Sequence, residues 1–562
     1  METLSSTKHQ SWLSWFLRGL LILSFLIVLA RVVDLQIIRG AYFRKLSEGN
    51  RIRRVPIAAA RGEILARGGE VLVGNKEVEL SLVFDKNFGY QKINEKGNAS
   101  EIITEPVRDY KLGNSFGHVS GYLGEVSEEE LGKIKARCPD KGPRKLGELI
   151  GRSGLEEEYD CLLTGTEGEE LIEVDSIGNK VRTLGRKEPI KGMNLKTTID
   201  FGLQKKIAGL LSDKKGVGIV TDMKGEILAM YSSPPYDPNI FISDQPEEVS
   251  KVLKNKDQPL FNRAIGGLYH PGSIFKPIVA IASLETEAID RDFVFEDNGV
   301  IAINTPYGNF SYTNWYFTQY GGTEGQIKLD RAIARSTDTF FYKIGEMTGV
   351  EKLIEWSSIF NLGNETGIDL PGEIGGLIPS PEWKLRVKGE RWFLGNTYHM
   401  SIGQGDIALT PIGMNQAISA IASGGEYCKP HIVDSQELEK SMIKNPPAGR
   451  AGQRSKCGGL GINKGNIDLV KEGMVGACSS GGTGYTFFDF GEKHDGIKVA
   501  CKTGTAEVGD GTNDTHAWFS VFAPSENPDI IATILVERGG EGSKVAGPIA
   551  REIFDYWFDR KD

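Results

Sequence analysis

The chain has 562 residues, 66 basic against 75 acidic side chains for a formal charge of −9, 40% hydrophobic residues and 70 glycines. A composition 25% charged and 9% aromatic belongs to a globular chain able to bury a core, so disorder is excluded as the main state; mild acidity without long runs of like charge excludes a basic, nucleic-acid-binding face. Glycine at one residue in eight, against roughly 7% on average, lacks collagen's spacing and must serve turns, loops and close backbone approach.

After a short tail, residues 1–11, an apolar stretch runs from Trp12 to Ala30 with one arginine, Arg18, near its start. Its uncharged core, Gly19 to Ala30, is shorter than the roughly 20 residues a membrane span wants, but Arg18 can extend toward the interface where Trp12 and Trp15 would sit. Three readings follow: an uncleaved signal anchor over residues 12–34, a signal peptide cleaved after Val28-Leu-Ala30, or a soluble helix; the anchor is preferred. Lys8 and Arg18 precede the core and Arg31 and Arg39 follow it, so the charge count barely orients it.

Residues 35–190 read as a mixed, non-catalytic module in which, from residue 50 on, short β-rich runs (Glu70-Val-Leu-Val, Val78 to Phe84) alternate with helix-prone segments such as Ser127 to Lys135. The second module, 191–562, opens with a strand leading into a helix near Thr198-Ile-Asp200, then a hairpin from Gly216 to Met230 around Lys224-Gly225. A helical block reaches to about residue 430. Strands return at Gly496–Lys502, Ala517–Phe522 and Ile530–Val536, and a helix closes the chain from Pro548 to Phe558. The fold class this implies is α/β in the α+β sense, a sheet covered by helices.

Six cysteines (138, 161, 428, 457, 478 and 501) show no CxxC pair and no metal spacing. They read as buried or free thiols, although Cys428 and Cys457 bracket the polar stretch containing Asn445-Pro-Pro-Ala-Gly-Arg450 and could close it as a disulfide in an oxidising compartment. The seven histidines are scattered without an HExxH, so neither a metal nor another cofactor is expected.

Ser-x-x-Lys occurs four times, at Ser5/Lys8, Ser212/Lys215, Ser273/Lys276 and Ser441/Lys444, and chance accounts for most of them. On a helix the spacing puts hydroxyl and amine on one face, where a desolvated lysine can activate a serine. Ser273 stands apart by its context, Tyr269-His-Pro-Gly-Ser-Ile-Phe-Lys-Pro277: a Pro-Gly turn, then the serine at the start of an apolar helix. Further on come Ser336-Thr-Asp338, beside Tyr342, and Lys502-Thr503-Gly504-Thr505 at the end of a strand. Such a strand offers an ammonium, two hydroxyls and, at Gly504, a backbone edge that a side chain would obstruct.

In this order the three motifs resemble those of β-lactamases and penicillin-binding proteins, and over nearly its whole length the chain resembles the class B penicillin-binding proteins. Leu35 to Gly40, Asn50 to Arg53, Arg61-Gly-Glu-Ile64, Gly151 to Glu156 with Tyr159-Asp160, Tyr236-Asp-Pro-Asn239, Asn262-Arg263, Ser401 to Gly405 and His516 to Phe519 carry the likeness. Ser336-Thr-Asp338, Leu370 to Glu373 and Trp392 to Thr397 are most similar to the elongation-type branch. The resemblance implies a single membrane anchor, an N-terminal pedestal or dimerisation-like module and a serine D,D-peptidase/β-lactamase-like transpeptidase domain facing outward from a bacterial cytoplasmic membrane.

It implies that Ser273 attacks the bond between the terminal D-alanines of a peptidoglycan stem peptide, with Lys276 as base. Ser336 relays a proton, Asp338 or Lys502 tunes that network, Thr503, Gly504 and Thr505 bind the substrate end, and β-lactams acylate the same serine. Nothing resembles a glycosyltransferase domain, so the implied partners are a SEDS-type glycosyltransferase, cell-elongation scaffold proteins and the membrane. Asp338 departs from the family's usual asparagine and Cys501 from its glycine, the latter reading as packed rather than reactive. The loose match at Ala66-Arg-Gly-Gly69 departs from the usual pedestal motif, and residues 278–335 lack the cysteine or histidine of the zinc site found in some relatives. A division-type role, a β-lactamase or carboxypeptidase, and a β-lactam sensor are the rival readings, but no segment supplies a deacylating glutamate and no further spans or protease motif are found.

Overall fold

A charge-free run such as Gly19–Ala30 gives a helix no aqueous face, and α1 (Trp12–Val33), extended by a π-helical turn to Ile38, has no buried residue. It is the one helix among the described residues that is long and apolar enough to cross a membrane. The computed structural model describes residues 12–85, 89–93, 101–131, 138, 143–175, 179–243, 245–306, 308–434 and 457–560. The tail, part of the Ser127–Lys135 segment, the Asn445–Arg450 stretch, and the pairs Ser5/Lys8 and Ser441/Lys444 lie wholly or partly outside them.

Two compact units interleave along the chain: residues 1–60, 77–106 and 166–191 form one, and 61–76, 107–165 and 192–562 the other. In the first, β1 (Ile52–Ile57), β2 (Gly168–Val174) and β3 (Lys180–Lys187) make an antiparallel sheet in the order β1-β2-β3 over a small core of Val55, Ile172 and Val174. The two β-rich runs near residues 70–84 prove to be one strand, Val71–Asp85.

The second unit is built on a five-stranded antiparallel sheet of β4 (Gly216–Thr221), β5 (Ile227–Ser233), β6 (Ala500–Glu507), β7 (Thr515–Ala523) and β8 (Ile530–Val536), in the order β5-β4-β8-β7-β6. Its strands are apolar on both faces because both are covered. Phe519, Val521 and Ile534 pack with Leu203 and Ile207 of α2 (Phe201–Leu211) and with Ile553 and Phe554 of the C-terminal helix. Trp518, Phe522, Ile531 and Leu535 point the other way, into the core that holds Ile274, Phe275 and the central helices. Arg61 Nε and Arg108 Nε grip the two oxygens of buried Glu156 at 2.6 and 2.7 Å, and Arg61 Nη2 reaches Asp160 at 2.7 Å, which gives the Arg61 and Gly151–Asp160 motifs a structural role.

Three expectations need correction. The Gly496–Lys502 strand instead runs from Ala500 to Glu507, because Gly496, at φ 79°, and Ile497 still belong to a turn. Lys502-Thr-Gly therefore lies within the strand, not at its end. The last helix begins at Gly542, with Pro548 inside it. The cysteines are neither free nor unpaired: Cys138–Cys161, Cys428–Cys457 and Cys478–Cys501 form disulfides, the second across the ribbon in which Cys428 faces Cys457. Peptide mapping without reductant should recover these three pairs, and reduction should cost about 3 kcal/mol for each loop of this size; unpaired thiols in native protein would refute the pairing.

Candidate active site

The serine turn, Gly272–Phe275, runs straight into α3 (Lys276–Glu285), so Ser273 and Lys276 come from one continuous winding of chain. That turn is laid on β6 and β7. Trp518 Nε1 donates to His270 O at 3.0 Å, and Gly272 N donates to Gly403 O at 2.9 Å. Gly403, at φ 72°, lies so close that a Cβ there would meet Gly272 O at 2.2 Å, which explains a glycine in the Ser401–Gly405 motif. Gly504 acts differently from the expectation. A Cβ on it would meet Trp518 Cβ at 3.0 Å, Ile274 Cγ2 at 3.1 Å and Pro271 O at 3.2 Å, so its missing side chain makes room for the serine turn and not for an incoming substrate.

Next along the chain is α4 (Trp315–Tyr320), and then α5 (Leu329–Arg335), which ends at Ser336, held at φ 56°, ψ 41°. This left-handed conformation is one that side-chain-bearing residues avoid by about 1 kcal/mol or more. It directs the Ser336 hydroxyl at two lysines before α6 (Asp338–Thr348) begins. Ser336 Oγ accepts from Lys502 Nζ at 2.8 Å and from Lys276 Nζ at 3.2 Å. Lys276 Nζ also donates to Ser336 O at 2.8 Å and to Asp338 Oδ1 at 2.6 Å, and it lies 5.2 Å from the centre of the Phe341 ring. The second Asp338 oxygen accepts the Trp315 backbone N–H at 3.0 Å, so the acceptor-only carboxylate in the family's asparagine position has a donor on each side.

Both lysines are wholly buried. Burial pushes Lys276 below its ordinary value, against the pull of Asp338, and it pushes Lys502 well below, with the Lys276 charge adding to the effect. An amine so placed can be neutral and accept a proton, which an exposed lysine cannot do near neutral pH.

Ser273, Ser336, Asp338, Thr503 and Thr505 line a cleft of about 760 Å³. Strand β6 forms the outer edge of the sheet, so one side of its backbone is open to an extended peptide. Thr503 Oγ1 donates to Thr483 Oγ1 at 2.9 Å, while Thr505 is exposed. All eight expected site residues therefore converge, five on the cleft and three behind it. Ser212 and Lys215 do not: their bonds run to Gly209 O, Asp257 and Glu537. Trp315, Thr483 and Gln404, which donates to Thr505 O at 3.4 Å, were not named as site residues, although Gln404 belongs to the Ser401–Gly405 motif and Gly481-Gly482 precedes Thr483. Cys501 is fully buried and bonded to Cys478, hence packed, as expected. Among the described residues no cluster of three His, Cys, Asp or Glu side chains is arranged to hold a metal ion.

A serine turn, a second serine bonded by two buried lysines, and an edge strand together supply the groups of an acyltransferase for an extended peptide. Comparison with known proteins narrows this. Residues 216–555 match the penicillin binding protein transpeptidase domain and residues 86–197 the penicillin-binding protein dimerisation domain. The chain is 31% identical to peptidoglycan D,D-transpeptidase MrdA of Acinetobacter baumannii, over 97% of this chain and 87% of that protein. Among solved structures, penicillin-binding protein 2 of Helicobacter pylori in complex with MreC is 26% identical with a TM-score of 0.72, covering 90% of this chain and 99% of that one. Penicillin-binding protein 2 of Pseudomonas aeruginosa in complex with WCK 5153 is 29% identical with a TM-score of 0.70, covering 90% and 96%. The chain belongs to the class B penicillin-binding proteins and is an elongation-type peptidoglycan D,D-transpeptidase.

Proposed function

We propose that Ser273 is the nucleophile and that the buried pair Lys276 and Lys502, meeting on Ser336 Oγ, is the proton-handling centre; that meeting point is the observation that carries the reading. Lys276, as the neutral amine, takes the Ser273 proton as Oγ attacks the carbonyl between the two terminal D-alanines. The tetrahedral oxyanion is held by the backbone N–H groups of Ser273 and Thr505. Ser336 passes a proton to the departing D-alanine amine, with Asp338 and Lys502 setting the charge around it. The acyl group remains on Ser273 until the amine of a neighbouring stem peptide displaces it and forms the cross-link. Thr503 and Thr505 hold the terminal carboxylate, with Gly504 between them keeping the strand against the serine turn.

Residues 12–34 anchor the chain in the cytoplasmic membrane after a short tail, 1–11. Residues 35–190 act as the pedestal and 191–562 as the transpeptidase domain, on the outer side of the membrane. Three disulfides support that side, since they persist in oxidising compartments. The glycan strands come from a separate polymerase of the SEDS type, and an elongation scaffold protein is a further partner; the Helicobacter pylori relative is itself found in complex with MreC.

Protein freed of α1 should take one stable equivalent of fluorescent penicillin, and on polymerised lipid-linked precursor it should release D-alanine in step with dimeric stem peptides. Loss of the label within seconds, or D-alanine release without cross-links, would overturn acyl transfer to an amine in favour of hydrolysis.

A further inference from the structure

Asp297 ends the strand Phe295–Asp297, which pairs with Gly325–Ile327, and only 1% of it is exposed. A buried carboxylate is normally offset by a cation or a metal. Among the described residues Asp297 has no cationic partner; instead each of its oxygens accepts two hydrogen bonds. Oδ1 takes Gly299 N at 2.9 Å and Thr339 Oγ1 at 2.6 Å, and Oδ2 takes Asn314 Nδ2 at 3.2 Å and Glu324 N at 2.9 Å. A carboxylate accepts about four such bonds, so the group is saturated.

What these donors hold is the second motif. Thr339 follows Asp338 on α6. Asn314, itself 1% exposed, accepts the Asp338 N–H on its Oδ1 at 3.2 Å and directly precedes Trp315, whose N–H binds the Asp338 carboxylate. Glu324 grips Arg335 Nε at 2.6 Å, and Arg335 O accepts from Trp315 Nε1 at 3.0 Å, next to the strained Ser336. The routes through Thr339, Asn314 and Glu324 each end on a residue that adjoins or bonds Ser336 or Asp338, and Gly299 O accepts from Asn314 N at 2.8 Å, although Asp297 does not itself line the cleft.

We propose that Asp297 is the positioning residue of the second motif, fixing through Asn314, Thr339 and Glu324 where Asp338 and Ser336 meet the two lysines. This rests on the roles given above to Ser273, Lys276 and Asp338, and the two are separable: loss of label in Ser273→Ala tests those roles, whereas the rate constant in Asp297 variants tests this one.

In Asp297→Asn the new amide must turn its NH2 toward two donors, either Asn314 Nδ2 and Glu324 N or Gly299 N and Thr339 Oγ1. Combining it with Asn314→Asp exchanges carboxylate and amide. The bond between the two side chains is restored, the oxygen at 297 keeps Gly299 N and Thr339, the second oxygen at 314 keeps Asp338 N, and only Glu324 N goes without.

The measurement is the acylation of purified variants by fluorescent penicillin, resolved into pre-acylation affinity, acylation rate constant and labelled fraction. A displacement of about 1 Å can cost on the order of 100-fold. Asp297→Asn should therefore lower the rate constant by about 10- to 100-fold, with affinity and labelled fraction near wild type, and the exchanged pair should recover most of the loss. Thr339→Val, a milder lesion, should lower the same constant by a few fold; it decides the matter if the 297 variants do not fold. A purely structural role would reduce the labelled fraction and leave the rate constant of the remainder unchanged. That result, or an exchanged pair no better than Asp297→Asn, would overturn the proposal.

Discussion

Ser273→Ala will take no covalent label from fluorescent penicillin at any exposure time, while its melting temperature stays close to wild type. The hydroxyl is the only atom removed, and among the described residues it makes no side-chain hydrogen bond, so the fold loses little when it goes. Chemically the loss is complete, because the other serine hydroxyl beside the buried lysines, that of Ser336, is already engaged by them. Ser336 has those lysines but sits at the bottom of their hydrogen bonds, accepting from both. The wild-type rate should also depend on pH with a definite sign. The working lysine must be neutral, and burial lowers both lysines from 10.5, Lys502 the further. The acid limb of the acylation profile therefore lies below 10.5, with the rate rising as pH climbs through it. Persistent labelling of Ser273→Ala would sink the nucleophile assignment, and an acid limb at or above 10.5 would sink the buried amine.

The parts of this site that could be read in advance are those whose geometry is local. Ser273 and Lys276 are three residues apart across one turn, and the backbone fixes their relation whatever surrounds them. The sheet was legible for a similar reason: Ala517–Phe522 and Ile530–Val536 are apolar apart from Ser520 and Thr533, which suits strands covered on both faces. Elsewhere the answer depended on distant chain. Whether Gly504 faces a substrate or a core depends on Trp518 and Ile274 arriving against it. The pairing of Cys501 with Cys478 depends on the end of a helix being brought to β6. Asp297 gave no signal at all, since its donors span residues 299 to 339 and only the folded chain makes one shell of them. The mispredicted start of β6 has a different cause, a local turn in which Gly496 N and Ile497 N bond back to Gly491 O and His494 O, so that apolar residues alone overstate the strand.

Lys276→Met should lose both acylation and stability, and a double variant with Asp338→Leu should separate the two losses. Lys276 is fully buried and its ammonium lies 2.6 Å from the Asp338 carboxylate, whose side chain is 14% exposed. Removing one partner of such a pair leaves the other charge without compensation at a cost of about 3–5 kcal/mol, whereas replacing both with apolar groups of similar shape is near neutral. Unfolding in denaturant should therefore show Lys276→Met destabilised by about that amount and the double variant recovering most of it. Acylation should not recover, because general-base loss costs about 10²–10⁴ in rate regardless of stability. Asp338→Asn tests the same pair from the other side. It removes the carboxylate charge that holds the Lys276 value up and leaves at most a neutral amide acceptor, so burial acts with less opposition and the lysine is neutral at still lower pH. The acid limb of the acylation profile should then move to lower pH, even if the maximal rate falls as Trp315 loses its charged acceptor. A limb that moves upward, or a double variant that regains acylation along with stability, would show that Lys276 serves the fold and that the proton is taken elsewhere, with Lys502 the remaining buried amine in reach of Ser336.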